Sequence, residues 1–198
     1  YSGIATYRPS DRWYAEVFGE RGLVDSATSL RLQYLIDTLG FSVDYVLSGS
    51  ITIVGALFDQ NVSDGNDRLG IVGRIIYTPP ALDWLNLQVK TRVLDSEFDG
   101  IGYFSPRRLR EFFFLAGAAR PFASDNWVIR GLAGPGLQII DEHGGNEETK
   151  PAFLSEVKLR GWFTQDFGLE GRLGYTTARS TGGSDRYVYG EVNLVHTW

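Results

Sequence analysis

Apolar and polar residues alternate with a period of two along most of the chain. In 85–93, Leu85, Leu87, Val89 and Val93 share one face, and Asn86, Gln88, Lys90 and Arg92 share the other. In 153–160, Phe153, Val157 and Leu159 oppose Leu154, Glu156, Lys158 and Arg160. In 167–175, Phe167, Leu169, Leu173 and Tyr175 oppose Glu170 and Arg172. In 29–37, Leu30, Leu32, Tyr34 and Ile36 oppose Arg31, Gln33 and Asp37. At the end of the chain, Val188, Gly190, Val192, Leu194, His196 and Trp198 alternate with Tyr187, Tyr189, Glu191, Asn193, Val195 and Thr197. Successive side chains of a strand point to opposite faces, so each segment predicts a strand with one apolar face. Further strands are predicted at 2–8, 13–20, 41–59, 68–78, 109–120 and 127–140. No long stretch carries a 3.6-residue period with caps, so no helix is predicted.

The connections alternate as well. Three short turns, 8–13, 79–84 and 120–127, each run Pro, then Asp, then Trp (Pro9-Asp11-Trp13, Pro80-Asp83-Trp84, Pro121-Asp125-Trp127). Pro and Asp favour the turn, and the Trp re-enters where an amphipathic ring prefers an interface. Longer polar loops lie between them at 60–68, 95–108, 141–151 and 178–186. Short turns at one end, long loops at the other and strands of about ten residues are the pattern of an outer-membrane β-barrel. The fold class predicted is therefore all-β: a transmembrane, antiparallel, up-and-down β-barrel in the bacterial outer membrane. A soluble β-sandwich also alternates. Against it stand the rows of long charged side chains on the polar face, the many glycines on the apolar face, and the terminal tryptophan.

The count from residue 2 is eleven if 41–59 is one strand, and about twelve if Gly49-Ser50 breaks it. Single-chain bacterial barrels normally have even numbers. The expectation is about twelve strands in one domain, 1–198, lacking an N-terminal portion or belonging to a larger barrel.

Composition narrows the function classes. The chain has 198 residues, with 14% aromatics, 24 glycines, no Cys and no Met. The absence of Cys excludes disulfides and thiolate metal sites. The net charge of -5 argues against a nucleic-acid partner. Mean hydropathy is -0.14, and no apolar run approaches the ~20 residues of a membrane helix.

Enzyme constellations are sparse. The two histidines are His143, in an acidic loop with Asp141, Glu142, Glu147 and Glu148, and His196. Neither has the placement a serine hydrolase needs, and the loop around His143 is read as a solvated acidic loop. A lipid-acting barrel enzyme is the weaker reading. No cofactor and no metal are expected. Gly131-Leu132-Ala133-Gly134-Pro135-Gly136 lacks a phosphate-loop lysine and is read as a kinked strand. The richest segment runs from Asp95 to Glu111, with acids, arginines and paired aromatics that suit a loop folding at or into a pore mouth.

Within it, Gly102-Tyr103-Phe104-Ser105-Pro106-Arg107 resembles a Gly-Tyr-(Phe/Tyr)-Ser-Pro-Gln motif. That motif occurs in the C-terminal barrels of tetratricopeptide-repeat exopolysaccharide export proteins. These include the cellulose-synthase outer-membrane subunit and the poly-N-acetylglucosamine export porin. Arg107 stands where that motif commonly has Gln. The 63–68 loop and the last strand are similar in style. The resemblance implies a porin-like barrel exporting polysaccharide. Its path would run along Tyr103, Phe104, Arg107, Arg108, Lys90, Arg92, Lys158, Arg160, Glu170 and Arg172. The wider set of charges expected inside includes Glu16, Arg31, Asp44, Arg74, Glu156 and Glu191. The C-terminal strand resembles the signal read by the outer-membrane assembly machinery, with Trp198, Leu194 and Val192 carrying it. Partners expected are outer-membrane lipid, that machinery, polysaccharide and periplasmic proteins. The rival reading is a scaffolding barrel whose interior is plugged by interlocking side chains.

Overall fold

The computed structural model describes residues 2–24, 27–123, 126–178 and 186–196. Eleven strands follow one another: β1 (Ser2–Ser10), β2 (Trp13–Leu23), β3 (Leu35–Ser48), β4 (Ile51–Val62), β5 (Asp67–Tyr77), β6 (Leu85–Ser96), β7 (Arg108–Phe122), β8 (Trp127–Asp141), β9 (Glu147–Trp162), β10 (Phe167–Thr176) and β11 (Tyr187–His196). They form a single antiparallel up-and-down sheet in sequence order. The connections after β1, β3, β5, β7 and β9 lie at one end of it, the turn end, and those after β2, β4, β6, β8 and β10 at the other, the loop end.

Two sequence expectations change together. The segment 41–59 is a hairpin, broken at Gly49-Ser50 into β3 and β4. The strand predicted over 29–37 is not formed: a short helix, α1 (Ala27–Leu32), precedes β3. The helix satisfies its backbone locally where no neighbouring strand is at hand, and Ala, Leu and Arg are good helix formers. Gln33, at φ 56, ends it in the left-handed region. One strand gained and one lost leave eleven among the described residues. β1 pairs with β2 alone and β11 with β10 alone. Both run from the loop end to the turn end, so joining them directly would need a parallel pair in an otherwise antiparallel sheet.

The sheet curls. Phe58 on β4 packs against a buried cluster that contains Leu94, Phe104, Leu109 and Ile140, the last on β8. Phe58, Gly70, Leu94, Leu109 and Ile140 form one row across β4 to β8. The side chains of this row are buried, that of Phe58 partly, while the opposite face stays exposed, as on the concave side of a curled sheet. The concave, inner face carries the polar residues. The outer face carries Phe41, Leu57, Ile71, Ile75, Leu87, Phe114, Leu137, Val157, Leu173, Val192 and Leu194, all exposed. An apolar face of this extent, left in the open by the sheet, is the face of a lipid-spanning sheet.

Both margins of the apolar band are marked. At the turn end Trp13 packs on Tyr45 (4.5 Å between centroids) and Trp127 on Phe163 (5.0 Å). This is the interfacial aromatic height expected of the Pro-Asp-Trp turns. At the loop end the outer face becomes ionic: Arg108 makes two 2.8 Å hydrogen bonds to Asp95, and Arg110 pairs with Glu147 and Arg21 with Asp37. Thr197 and Trp198 lie outside the described residues. Leu194 and Val192 are on the outer face near the turn end.

The glycines and aromatics answer one another across strands. The ring of Phe18 lies over Gly40, Phe58 over Gly70, Tyr189 over Gly174 and Trp127 over Gly161; a Cβ at Gly70 would fall 2.0 Å from the Phe58 ring. A glycine opposite a large ring lets the ring lie flat on the sheet. The segment 131–136, read as a kinked strand, lies within β8 and pairs without a break with β9. The β7–β8 pairing is interrupted between Phe113↔Gly136 and Ala116↔Ala133, where Pro135 has no N–H to offer.

Candidate functional site

The strand register sets which charges share the inner wall. On β5, β6 and β7 the inner rows read Arg74↔Lys90↔Phe113 and Val72↔Arg92↔Glu111. On β8 to β11 they read Arg130↔Lys158↔Arg172↔Glu191 and Val128↔Arg160↔Glu170↔Asn193. Period two on every strand, with the antiparallel pairing in register, stacks these side chains into ladders.

Most of the ladders are internally paired. Arg92 binds Glu111 at 2.6 Å, and Glu111 also accepts from Gln138 at 2.9 Å. Glu156 accepts from Arg172 Nε at 2.6 Å and from the Tyr189 hydroxyl at 2.8 Å, with the Lys158 ammonium at 3.4 Å. Arg160 pairs with Glu170 at 2.9 Å. Around the last two pairs lies a cleft of about 500 Å³, whose polar lining is Arg130, Lys158, Arg160, Glu170, Arg172, Glu191 and Asn193. Four cations and two carboxylates there present many donors to an oxygen-rich ligand and tip the balance towards positive charge.

The second part of the site is the mouth. The loop at 97–107 folds inward, over the concave face. Phe104 enters the buried cluster of Leu94, Leu109 and Ile140. Tyr103 reaches Val24 and Val62, with Tyr34 and Ile36 beside them. Asn66, fully buried in the loop between β4 and β5, holds this lid. Its amide donates to the Phe98 carbonyl (2.9 Å) and to the Tyr103 hydroxyl (3.0 Å), and its oxygen accepts from the Phe98 N–H (3.3 Å). The Tyr103 hydroxyl donates to Asp64 at 2.9 Å, and the Gly100 N–H to the Ser105 hydroxyl at 2.5 Å. Burial is the main cause that pushes the Tyr103 hydroxyl above the ordinary tyrosine range; Asp64 adds to the rise and Asn66 opposes it. Gly102, at φ +85, allows the chain to turn against Thr28, and Ser29 of α1 donates to its carbonyl at 3.4 Å.

The structure thus separates the residues proposed from the sequence. Lys90, Arg92, Lys158, Arg160, Glu170 and Arg172 are on the inner wall. Glu16, Asp44, Arg74, Glu156 and Glu191 share that face. Arg31 does not, because it sits on α1. Tyr103 and Phe104 are buried at 5% and 8% exposure, so their rings are packed and not free to stack on a sugar. Arg107 and Arg108 stand at the outer rim, paired with Asp141 and Asp95. Pairing and packing claim these four because the loop turns inward as a folded unit. His143 is in the loop after β8, and no metal-ligating cluster is found among the described residues.

Sequence reasoning missed Gln138, and named the stretches that hold Asn66, Ser105 and Glu111 without giving these three a role. Asn66 follows Asp64-Gly65, a turn signal that marks a bend but says nothing about which distant loop the side chain will hold.

No known family model and no curated protein matches the sequence. Three solved structures resemble the fold over 100% of this chain. One is described as a "Bacterial polysaccharide outer membrane secretin", with 15% identity, a TM-score of 0.70 and 68% of that chain covered. Another is "LpxR from Salmonella typhimurium", with 8% identity, a TM-score of 0.58 and 88% covered. The third is a NanC porin, with 12% identity, a TM-score of 0.51 and 99% covered. Together with the apolar outer band and its aromatic margin, they identify the fold as that of the bacterial outer-membrane β-barrels.

Proposed function

We propose that this porin-like barrel is a conduit for exopolysaccharide export across the outer membrane, of the kind found in the tetratricopeptide-repeat export proteins. The observation that carries the reading is the charged cleft on β8 to β11. A polymer rich in hydroxyls moves through a pore when it meets many weak, exchangeable hydrogen bonds, so that no single site traps it. Arg130, Lys158, Arg160, Glu170, Arg172, Glu191 and Asn193 offer such a row along one wall. The likeness to a polysaccharide secretin at TM-score 0.70 supports it. So does the Gly102–Arg107 motif, whose role becomes that of a mouth loop and not of a sugar-stacking platform. In this reading the protein performs no covalent chemistry and needs no cofactor. Its partners are outer-membrane lipid, periplasmic subunits that deliver the polymer, and the assembly machinery, which reads a C-terminal strand bearing Val192, Leu194 and Trp198.

Planar-bilayer recording tests the reading. The purified barrel should conduct, and a cello- or glucosamine oligosaccharide should block part of the current. Conductance no greater than bare lipid removes the conduit.

One set of observations favours a second reading, a plugged scaffolding barrel that anchors a periplasmic complex. The pairs Arg92–Glu111, Arg172–Glu156 and Arg160–Glu170 bridge strands inside the curl, and the 97–107 loop covers the mouth. Liposomes that exclude small sugars in a swelling assay favour this reading over the first.

A further inference from the structure

Beneath the mouth loop lies a cation with nothing to bind. Arg68, on the inner face of β5 one residue after the loop that carries Asn66, is 3% exposed. Its Nε is buried without a hydrogen-bond partner, and the guanidinium makes no ion pair with any described residue. Its cross-strand neighbour on β6 is Ser96, 7% exposed, whose hydroxyl is also buried and unpartnered. The groups that favour its charge are Tyr103 and, more weakly, Asp64. That carboxylate already accepts from the Tyr103 hydroxyl at 2.9 Å and from the Asn66 N–H at 3.1 Å. On the other side stands a like charge, Arg92, committed to Glu111.

Charges this well buried are ordinarily paired, because an unpaired one forfeits its hydration and receives nothing in return. The layer below, Phe58, Leu94, Leu109 and Phe104, is apolar and cuts Arg68 off from the polar wall deeper in the curl. The layer above is the lid, held by Asn66 and Tyr103. A guanidinium fork and a hydroxyl side by side across the β5–β6 ladder are the donor set that carboxylate and phosphate oxygens take, and a planar fork binds both oxygens of a carboxylate at once. A neutral hydroxyl would satisfy the hydrogen bonds and leave the charge uncompensated.

We infer that Arg68 and Ser96 form an oxyanion-binding site under the 97–107 loop, and that it takes the acidic group of a polymer, a uronate carboxylate or a phosphodiester, when the loop lifts. The identity of the polymer as cargo rests on the export reading above; the site itself does not. The closed lid keeps the cation desolvated, and an anion arriving at the mouth gains most by displacing it. Lid opening and anion binding are thereby coupled: each favours the other by the same factor.

The test is direct binding to the detergent-purified barrel by calorimetry, with hexagalacturonate, neutral maltohexaose and inorganic phosphate as probes. Hexagalacturonate should bind the wild type at least about tenfold more tightly than Arg68→Gln, as expected for loss of a charge-assisted hydrogen-bonded pair. Ser96→Ala should weaken it several-fold, and maltohexaose should not distinguish the variants. Arg68→Gln should keep wild-type heat-modifiable gel mobility, since it removes an unpaired charge. Should it fail to fold, Arg68→Lys keeps the charge, loses the fork and should lie between the two. Equal hexagalacturonate affinity in the wild type and the folded Arg68 variant overturns the site. Phosphate binding as tight as hexagalacturonate and equally dependent on Arg68 assigns the site to a free ion and overturns the polymer assignment. Arg68-dependent binding in a barrel that conducts nothing keeps the site and overturns the export reading.

Discussion

Asn66→Ala should release the mouth loop without unfolding the barrel. The side chain is fully buried and ties two loops together that are over thirty residues apart in sequence. Alanine leaves the Phe98 carbonyl and the Phe98 N–H without the partner each now has, and removes the donor to the Tyr103 hydroxyl, which keeps its bond to Asp64. The Glu97 N–H keeps one acceptor, because it also donates to the Asp67 carbonyl at 3.0 Å. Two to three hydrogen bonds at about 1 kcal/mol each, with an added penalty for any group left buried and unpaired, give roughly 2–4 kcal/mol of loop stability. The strand ladders on either side contain none of these bonds, so the loss is local. Amide hydrogen exchange in 97–107, read by mass spectrometry on the purified barrel, should accelerate about 30- to 1,000-fold. Amides of β6 and β7 should keep their protection, and heat-modifiable mobility should not change. Asn66→Asp is the control: it keeps the acceptor and loses both donated bonds, while adding charge beside Asp64, so it should open the loop as well. Exchange in 97–107 within about threefold of wild type in the Asn66→Ala protein would show that the lid is held by its apolar contacts alone, and that the polar network has been overvalued.

The other predictions are simpler. The Tyr103 hydroxyl is pushed above its unfolded value near 10, chiefly by burial, so its contribution is complete below that pH and is lost as pH rises through the folded value. Tyrosinate absorbance should show a late-titrating component that Tyr103→Phe reduces by one residue, and an unchanged late component in that variant refutes it. Gly70→Val places a Cβ 2.0 Å from the Phe58 ring and should lower barrel stability by about 1–3 kcal/mol, seen as an earlier loss of the folded gel band. Gly55→Val, facing open space on the outer side, should not; equal effects refute the aromatic-on-glycine account. Val192→Arg puts a cation on the lipid face, between the aromatic margin and the bilayer midplane, and should cut membrane insertion by an amount equivalent to roughly 1–3 kcal/mol. Asn193→Arg, one residue on and facing inward, should insert normally. A reversed pattern means the two faces have been exchanged.

The period-two pattern was sufficient to determine the strands, their apolar face and the side on which the short turns fall. Leu87 and Val89 outside, with Lys90 and Arg92 inside, follow from spacing alone, because a strand has only two faces and water and lipid sort them. The Pro-Asp-Trp turns likewise announced the aromatic margin. At 29–37 the same reasoning failed. Alternation there is shared by a loop that found a helical turn cheaper than an unpaired strand, and period alone does not report whether a neighbour is present to complete a ladder. The break at Gly49-Ser50 was visible as an option and undecided for the same reason: pairing in register with both neighbours selects the hairpin. What only the tertiary structure decided is the mouth. Tyr103 and Phe104 read equally well as exposed rings or as anchors, until the curl of the sheet brought Leu94, Leu109 and Ile140 beneath them. Asn66 and Arg68 were ordinary polar residues beside a turn, until a loop some thirty residues further along folded over both. Sequence spacing specifies which way a side chain points on its own strand. Which distant segment arrives to bury it, and whether that segment brings a partner, depends on long-range packing, and here the partner came for Asn66 and not for Arg68.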